Sequence, residues 1–444
     1  MTASLPHTIA GFRAAYAAGA RPADLLAATH AAVTACDDPG IFLDIFPGDL
    51  LLRAAEYLPP RDPVAYPLWA IPFAVKDNID VAGRPTTAGC PAFAYTPAAD
   101  APVVALLRAA GAIPIGKTNL DQFATGLVGV RTPHPVPRNA ADPSRVPGGS
   151  SSGSAVAVAR GLVPFALGTD TAGSGRVPAA LNGIVGLKPS PGVVSTRGVV
   201  PACRSLDCVS VFAHSAGDAW AAMAAMRGYD PEDPYAKPAP ADDATPVARI
   251  GIPAMDALIF DEPEARAAWQ AALPGLSRLA PQISAPDIAP FLAIARMLYE
   301  SALVAERDAS FGEFLRANLD AVHPTVRAIT LGADRFTATD VFRAQHQFAA
   351  LRRASEGVWD RIDALVVPSV PQFPTLAALA ADPIGPNARL GTYTNFVNLL
   401  GLAAIAVPGP LRPDGLPAGV TFIGPFGSDA RLARLAALYL GETS

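Results

Sequence analysis

Apolar residues recur at helical spacing over positions 10–18 and 23–35, and this pattern predicts helices in the first sixty residues. Farther along, short apolar runs alternate with longer helical stretches, which predicts an α/β fold around one central sheet. The predicted strands occupy 68–75, 112–115, 165–167, 250–252, 365–367, 403–407 and 420–423. The predicted helices occupy 216–226, 265–273, 291–315 and 341–358, and another is predicted to begin at Leu120.

The overall composition is that of a compact globule rather than of a disordered chain. Of 444 residues, 51% are hydrophobic and 16% are charged, and the net charge is −5, so nothing indicates the clustered basic surface that nucleic acids require. The N-terminus lacks a basic stretch followed by an apolar run, and no apolar run reaches about 18 residues. We therefore predict neither a signal peptide nor a membrane span, and the reducing cytoplasm is the expected compartment.

Four cysteines are scattered along the chain, at Cys36, Cys90, Cys203 and Cys208. Their number and spacing fit neither a disulfide framework nor a zinc site, so no metal ion is predicted. Cys203 and Cys208 are near enough in sequence to pair, but buried or inert thiols are the favoured interpretation.

The most informative segment, 147–192, contains two Gly/Ser clusters separated by an apolar stretch that is typical of a strand. A flexible linker would need neither this stretch nor the Arg-Val-Pro at 176–178. A phosphate-binding P-loop would need a lysine that neither cluster supplies. The G-x-S-x-G at 149–153 has the letters of a nucleophile elbow, but a polar, Pro-containing loop at 139–147 precedes it instead of a strand, and the last histidine is His346.

A fourth interpretation is a serine hydrolase whose base is a lysine. Lys76 ends the apolar run 70–75, where partial desolvation lowers the pKa of a lysine and makes its neutral amine accessible. Taken singly, Lys76 would be a solvated residue at a strand end, and each serine would be a cap or turn residue. Their occurrence together with a Gly-rich backbone favours the catalytic interpretation.

These motifs resemble the amidase signature family, over about residues 20–440. The matching elements are Gly-Gly-Ser-Ser at 148–151, Gly-Thr-Asp-Thr-Ala-Gly-Ser at 168–174, Gly-Leu-Lys-Pro at 186–189 and Val-Lys-Asp at 75–77. The resemblance implies the amidase signature fold, a central mixed β-sheet covered by helices on both faces. It also implies a homodimer and an enzyme without a cofactor.

By the same resemblance, Ser174 is the nucleophile, Ser150 is the relay and forms a cis peptide bond, and Lys76 is the base. The usual family signature has glycine where this chain has Ala172, and a bulky apolar residue where it has Gly175. This departure from the usual signature narrows the choice of subgroup within the family. The implied oxyanion hole consists of the backbone N–H groups of Thr171, Ala172, Gly173 and Ser174.

Three segments, 171–178, 201–210 and 393–400, resemble the allophanate hydrolases within this family. Those enzymes act on linear amides: they hydrolyse allophanate (urea-1-carboxylate), a small planar anion, and release ammonia downstream of a biotin-dependent urea carboxylase in urea degradation. The resemblance implies this small-molecule substrate and this functional link. The alternative is another amidohydrolase of the family, either malonamidase-like or the A subunit of a glutamine-dependent amidotransferase.

The segment 298–307 resembles the substrate-recognition segment of allophanate hydrolases, which implies that Tyr299 and Arg307 bind the substrate carboxylate. On one continuous helix the two residues would be about 12 Å apart along the axis and about 80° apart around it, and two long side chains could still converge. Without the resemblance, a solvent-facing arginine and a core-packed tyrosine would be favoured.

We expect a single amidase signature domain over 1–444, and the Pro-rich stretch 228–247 is predicted to be a surface connection within it. The expected parts are a helical N-terminal region at about 1–60, a catalytic core at about 65–210, substrate-specificity helices at about 255–360, and C-terminal strands with a helix at 361–444. The further C-terminal domain of allophanate hydrolases, which completes the breakdown of the N-carboxycarbamate product, is expected to be absent.

Overall fold

The computed structural model describes residues 5–242 and 245–442. The extreme ends of the expected domain, and positions 243–244 of the predicted surface connection, lie outside the described residues. Within those ranges, eleven strands form one sheet. In chain order they are β1 Phe42–Ile45, β2 Pro72–Lys76, β3 Ile113–Thr118, β4 Phe165–Asp170, β5 Val185–Lys188, β6 Cys208–Ala213, β7 Arg249–Gly251, β8 Gln282–Ser284, β9 Ala364–Pro368, β10 Ala403–Pro408 and β11 Gly419–Gly424.

The described residues also form sixteen α-helices. The first eight are α1 Ile9–Ala17, α2 Pro22–Thr34, α3 Gly48–Glu56, α4 Pro102–Ala109, α5 Ser152–Ala159, α6 Val177–Asn182, α7 Ala216–Met226 and α8 Pro263–Leu276. The others are α9 Ala289–Glu300, α10 Ala305–Ala317, α11 Pro324–Leu331, α12 Ala338–Glu356, α13 Leu376–Ala381, α14 Gly385–Leu390, α15 Asn395–Leu399 and α16 Asp429–Leu440. None of these helices is long and apolar enough to cross a membrane.

The sheet is mixed, as predicted. Its strand order is β1-β3-β2-β4-β6-β5-β10-β11-β9-β7-β8. β2 runs parallel to β3 and β4, β7 runs parallel to β8 and β9, and the remaining pairs are antiparallel. Helices cover both faces: α5 and α6 pack together against the middle of the sheet, and α7 and α16 form a second packed pair. The expected central mixed sheet with helices on both faces is therefore present.

The middle strands position the functional residues. β2, β4 and β6 are buried along their whole length, because they are apolar runs covered by helices on both sides. Polar residues occur where these strands end, with Lys76 closing β2 and Asp170 closing β4. Since β2 and β4 are parallel neighbours, their carboxyl ends meet at the same edge of the sheet.

The seven strands predicted from apolar runs are all present, with shifts of a few residues at their ends. The prediction of a helix beginning at Leu120 is wrong. In its place is a loop with a single 3₁₀ turn, Gln122–Ala124, in which Phe123 and Ala124 have left-handed backbones with φ of 51°. Long-range contacts impose this shape, because Phe123 donates its N–H to Ala88 O at 2.9 Å and stacks on Phe311 at 4.4 Å between ring centres.

The single helix predicted over 291–315 is also wrong. The chain forms α9 and α10 instead, separated by a 3₁₀ turn at Ala302–Val304. Ser301 has an extended backbone, with φ of −116° and ψ of 177°, and its side chain accepts from the N–H of Leu303 at 3.3 Å. This local bond competes with the helical pattern, as serine side chains commonly do. Tyr299 and Arg307 therefore lie on different helices.

Candidate active site

The lysine at the end of β2 and the first serine of the Gly/Ser cluster meet inside the molecule. Lys76 Nζ lies 2.7 Å from Ser150 Oγ and 2.7 Å from Thr169 Oγ1. All three side chains are buried. Thr169 is the penultimate residue of β4, so two neighbouring strand ends and one loop together supply the cluster.

No carboxylate among the described residues lies within 4.0 Å of Lys76 Nζ. Burial lowers the pKa of Lys76 from the ordinary lysine value to about 7, although the more distant charges of Asp121, Asp207 and Asp170 oppose the shift. An amine with this pKa is neutral in an appreciable fraction of molecules at neutral pH. It can therefore accept a proton from a hydroxyl group that touches it.

Ser174 lies on the loop between β4 and α6 and is buried. Its hydroxyl donates to the carbonyl of Gly126 at 3.4 Å, and it shares no hydrogen bond with Ser150, which is likewise among the described residues. The Gly149–Ser150 peptide bond is cis, as the resemblance implies. The structure thus joins Lys76 to Ser150 directly and holds Ser174 on a separate loop.

One buried ion pair braces the loop that carries Ser174. Both carboxylate oxygens of Asp170 accept from Arg176, through Nε and Nη2 at 2.9 Å each, and neither side chain is exposed. The same carboxylate accepts from the backbone N–H groups of Gly173 at 2.8 Å and Gly175 at 3.0 Å. Burial by itself would raise the pKa of Asp170, but the charge of Arg176 and these hydrogen bonds hold it below the ordinary value.

These contacts bear on the implied oxyanion hole. The N–H of Gly173 is engaged by Asp170, whereas the N–H groups of Thr171, Ala172 and Ser174 meet no acceptor within the part of the chain that the structure describes. The carbonyl of Ala172 accepts from Thr394 Oγ1 at 2.7 Å, which fixes the orientation of that peptide. Three of the four implied donors are therefore without an acceptor among the described residues, as an oxyanion hole requires.

Thr171 connects the same loop to a second buried carboxylate. Its Oγ1 donates to Asp207, whose pKa is raised by burial to about 6. Two residues earlier in that segment, Ser205 donates to the carboxylate of Glu306 through its N–H at 2.7 Å and its hydroxyl at 2.8 Å. The segment therefore connects the loop of Ser174 with the first turn of α10, which also carries Arg307.

Tyr299 and Arg307 meet even though they lie on separate helices. Arg307 Nη2 donates to Tyr299 Oη at 2.9 Å, and the guanidinium carbon lies 5.0 Å from the centre of the tyrosine ring. Arg307 is only 1% exposed, and its Nη1 donates to Thr125 Oγ1 at 3.3 Å. Within the described residues its Nε has no hydrogen-bond partner, and no carboxylate lies within 4.0 Å of the guanidinium. Arg307 is thus a buried charge with no carboxylate in direct contact, and Asp207 and Glu306 act on it only from beyond 4.0 Å.

Sequence reasoning missed several residues that contact the predicted ones. Thr169 could have been found, because it lies within the matched motif 168–174 and next to the end of a predicted strand. Asp207 lies in the segment 201–210 that resembles the allophanate hydrolases, but nothing in that segment marks it as buried. Thr125 gave no signal, because it follows Leu120, where a helix was wrongly predicted.

The cysteines are all free, and three of the four are buried. Cys203 and Cys208 form no disulfide, and burial raises the pKa of their thiols to about 12 and about 11. Protonated thiols of this kind are poor nucleophiles. Among the described residues, no group of three or more His, Cys, Asp or Glu side chains is arranged to hold a metal ion.

Known proteins resemble this chain in both sequence and structure. Residues 25–433 match the family model named Amidase. The urea amidolyase of Lachancea kluyveri is 49% identical over 379 residues, which are 84% of this chain and 21% of the relative. The A subunit of the glutamyl-tRNA(Gln) amidotransferase of Chloroflexus aggregans is 35% identical over 473 residues, covering 97% of this chain and 95% of the relative. The structure of Kluyveromyces lactis allophanate hydrolase has a TM-score of 0.92 and 41% identity, covering 99% of this chain and 73% of that one.

The chain spans about a fifth of the length of the urea amidolyase that it matches. The family model, by contrast, covers most of the chain and includes the lysine, both Gly/Ser clusters and the tyrosine–arginine pair. The architecture described above matches the K. lactis structure over nearly the whole of this chain, which covers about three quarters of that structure. The resemblance seen in the motifs is therefore confirmed, and the chain belongs to the Amidase family.

Proposed function

We propose that this protein hydrolyses the terminal amide of allophanate and releases ammonia. The observation that carries the proposal is the buried guanidinium of Arg307, which has no carboxylate partner among the described residues. A buried arginine does not lose its charge, so the pocket favours a substrate that brings a negative group. The similarity to K. lactis allophanate hydrolase and to urea amidolyase supports the same substrate.

In the proposed reaction, Ser174 Oγ attacks the terminal amide carbon, and its proton passes through Ser150 to the neutral amine of Lys76. Open N–H groups of the loop 171–174 stabilise the oxyanion, where one donor is worth about 3 kcal/mol. The carbon–nitrogen bond then breaks, and the proton returns through Ser150 to the leaving nitrogen, which departs as ammonia. Water attacks the acyl-enzyme with the help of the same groups and releases N-carboxycarbamate.

The first proton transfer requires the hydroxyl of Ser174 to turn from Gly126 towards Ser150. The bond that it leaves is weak, because 3.4 Å is long for a hydroxyl donor. The second transfer needs no movement, since Ser150 Oγ and Lys76 Nζ are 2.7 Å apart. These distances support a reaction in which substrate binding completes the proton path.

At the other end of the substrate, Arg307 binds the carboxylate. Its Nε is the donor without a partner among the described residues, and Tyr299 holds the guanidinium through the 2.9 Å bond from Nη2. Charge-assisted bonds to a carboxylate are about twice as strong as neutral ones. This contact distinguishes an anionic amide from a neutral one of the same shape.

A second candidate is glutamine hydrolysis, which the 35% identity to one component of an amidotransferase favours. Glutamine is a zwitterion, so its ammonium group would need a carboxylate in the pocket. Two buried guanidinium groups, those of Arg131 and Arg307, donate to Thr125, and the buried carboxylate of Asp121 nearby already accepts from the N–H groups of Gly129 and Arg131. The positive charges therefore outnumber this one engaged carboxylate, which suits a substrate whose only charge is negative, and allophanate remains the better candidate.

The proposal extends to the setting of the enzyme. It includes a functional link to a biotin-dependent urea carboxylase, which would supply allophanate, as well as a homodimer and a cytoplasmic location. The motif resemblance supports the first two statements, the similarity to urea amidolyase also supports the first, and the free cysteines suit the third. Light scattering of the purified protein tests the dimer, and cell fractionation tests the location.

The test of the proposed function is ammonia release by the purified protein from allophanate, malonamate, biuret and glutamine. We expect the highest kcat/KM for allophanate, a lower value for the anionic malonamate, a still lower one for biuret, and background rates for glutamine. Biuret differs from allophanate only where an amide replaces the carboxylate, so this pair isolates the effect of charge. Turnover of glutamine with none of allophanate would overturn the proposal in favour of the second candidate.

A further inference from the structure

A second buried arginine lies next to the first. Arg131 is 2% exposed and, like Arg307, has no carboxylate within 4.0 Å among the described residues. Its side chain donates only to carbonyl groups, from Nη1 to Thr125 O at 3.1 Å and from Nη2 to Pro383 O at 3.0 Å. Carbonyl groups satisfy its hydrogen bonds but do not neutralise its charge.

Other buried arginines of the chain differ in this respect. Arg176 is paired with Asp170, and Arg412 is paired with Glu262 and Asp414. On its outer side, Arg131 borders a cavity of about 320 Å³ whose lining, drawn from the described residues, includes no acidic side chain. An unpaired buried charge is costly, so an arginine kept in this state points to an anion that arrives from outside the chain.

The two unpaired arginines hold the same residue from two sides. Arg307 Nη1 donates to Thr125 Oγ1 at 3.3 Å, and Arg131 Nη1 donates to Thr125 O at 3.1 Å. Thr125 in turn donates to Phe123 O at 3.1 Å, within the left-handed turn. Burial lowers the pKa of Arg131, the charge of Asp121 opposes the shift from beyond 4.0 Å without pairing with the guanidinium, and the charge of Arg307 adds to it.

We propose that Arg131 is a specificity-determining residue, which adds a second positive charge to the anion site of Arg307 and holds Thr125 where Arg307 is anchored. This inference rests on the proposed function, because it concerns recognition of the same carboxylate. Two like charges buried together repel, and a bound anion relieves that repulsion. Arg131 acts as a positioning residue through Thr125 and through its field, without a direct contact to the substrate.

The test compares three substitutions on allophanate and biuret. Arg131→Met removes the charge and the hydrogen bonds, Arg131→Gln keeps a donor for Thr125 O without the charge, and Arg131→Lys keeps the charge. We expect Arg131→Met to raise KM for allophanate about 5- to 10-fold, with kcat/KM for biuret within about twofold of the unaltered protein. Arg131→Lys should recover more of the preference for allophanate than Arg131→Gln.

If Arg131 has only a structural role, its replacement should lower kcat/KM for allophanate and for biuret equally, and that result would overturn the inference. So would an Arg131→Gln variant that prefers allophanate as strongly as Arg131→Lys does, and this pair still decides the question if Arg131→Met does not fold. Arg412→Met is the matched control, because it removes a buried arginine that has carboxylate partners. It should lower the midpoint of urea unfolding and leave the substrate ratio unchanged.

The inference and the proposed function fail in different ways. If the unaltered protein releases no ammonia from allophanate, the function is wrong. If it does, and Arg307→Ala loses the preference for allophanate over biuret while all three Arg131 variants keep it, the function stands and the role of Arg131 is wrong.

Discussion

The two ends of the candidate site each contain buried cations without a carboxylate partner, and the cations differ in what burial does to them. At one end, Lys76 can lose its proton, and its pKa falls to about 7. At the other end, the guanidinium groups of Arg307 and Arg131 keep their charge, because no environment of this kind deprotonates arginine. The cost of burying a charge thus favours a neutral amine at one end, which suits the proposed base, and leaves a fixed positive charge at the other, which suits the proposed anion site.

Paired buried cations in the same molecule show what the unpaired ones lack. Arg176 has Asp170 at 2.9 Å, and Lys117, which is also unexposed, has Asp77 at 3.3 Å. These pairs hold loops and strand ends together, and their charges are balanced within the chain. These paired cations support the fold, whereas in the proposed function the unpaired Lys76 and Arg307 face the substrate.

The largest expected effect comes from removing the nucleophile at the lysine end. Ser174→Ala should lower kcat about a thousandfold or more and prevent acylation, and Ser150→Ala should also be severe because the proton path is cut. Mass spectrometry after reaction with an activated substrate would locate the adduct. Ser152→Ala is the control, since its buried hydroxyl has no partner among the described residues. An adduct on 150–152 with Ser174 unmodified would contradict the assignment.

Replacement of Lys76 tests whether the unpaired lysine is the base. With a neutral amine as the active form, activity should rise with pH as the ammonium loses its proton, with a midpoint near the pKa of about 7. Lys76→Met should lose nearly all activity, about a thousandfold, and Lys76→Arg should not recover it, because a guanidinium keeps its proton. The measurement is a pH profile of kcat/KM. Substantial turnover in either variant would show that another group is the base.

Removing one partner of the balanced pair should affect stability without changing specificity. Asp170→Asn leaves Arg176 buried with an uncompensated charge, and the expected loss is about 3–5 kcal/mol in the free energy of unfolding. Asp49→Asn breaks an exposed pair with Arg53 and should cost less than about 1 kcal/mol. Urea unfolding measures both losses. A small loss of unfolding free energy for Asp170→Asn would count against a purely supporting role. So would a changed ratio of kcat/KM for allophanate to kcat/KM for biuret.

The smallest of these effects is expected at the arginine end. Arg307→Ala should lower kcat/KM for allophanate about 10- to 150-fold, because it removes a charge-assisted bond worth about 1.5–3 kcal/mol. The value of kcat/KM for biuret should change far less. Arg307→Lys should be impaired as well, because an ammonium lacks the planar fork. Steady-state kinetics on the two substrates are the check. Equal losses of kcat/KM on both substrates would show that Arg307 is structural. The two ends of the candidate site would then not differ in the way described above.

The sequence predicted those parts of the fold in which local pattern and tertiary structure agree. The helix expected at 216–226 is observed as Ala216–Met226. The four-residue strand Val185–Lys188 was missed, because it contains a glycine and a lysine and depends on pairing with β6 and β10. The helix expected from Leu120 does not exist, because contacts with distant residues hold Phe123 in a left-handed conformation that no local pattern indicates.

The residues of the candidate site fall into the same two groups: those that a local motif marks, and those that only the three-dimensional structure reveals. Lys76 and Ser150 could be found because they lie in motifs, and the contact between them is now visible at 2.7 Å. Arg307 was named from resemblance, but its neighbour Arg131 was not, because a sequence does not distinguish a buried arginine from an exposed one. Pairing is a property of three-dimensional surroundings, and the functional meaning of these arginines depends on it.

The turn between α9 and α10 has a consequence for how such a pocket can change over generations. On an uninterrupted helix, inserting one residue before Tyr299 would rotate every later side chain by about 100° relative to the preceding part. The turn at Ala302–Val304 separates the two registers, so a change of register in α9 does not have to rotate α10. Tyr299 and Arg307 are nevertheless joined by a hydrogen bond, so a change at Tyr299 has to keep a partner for the guanidinium or alter its position.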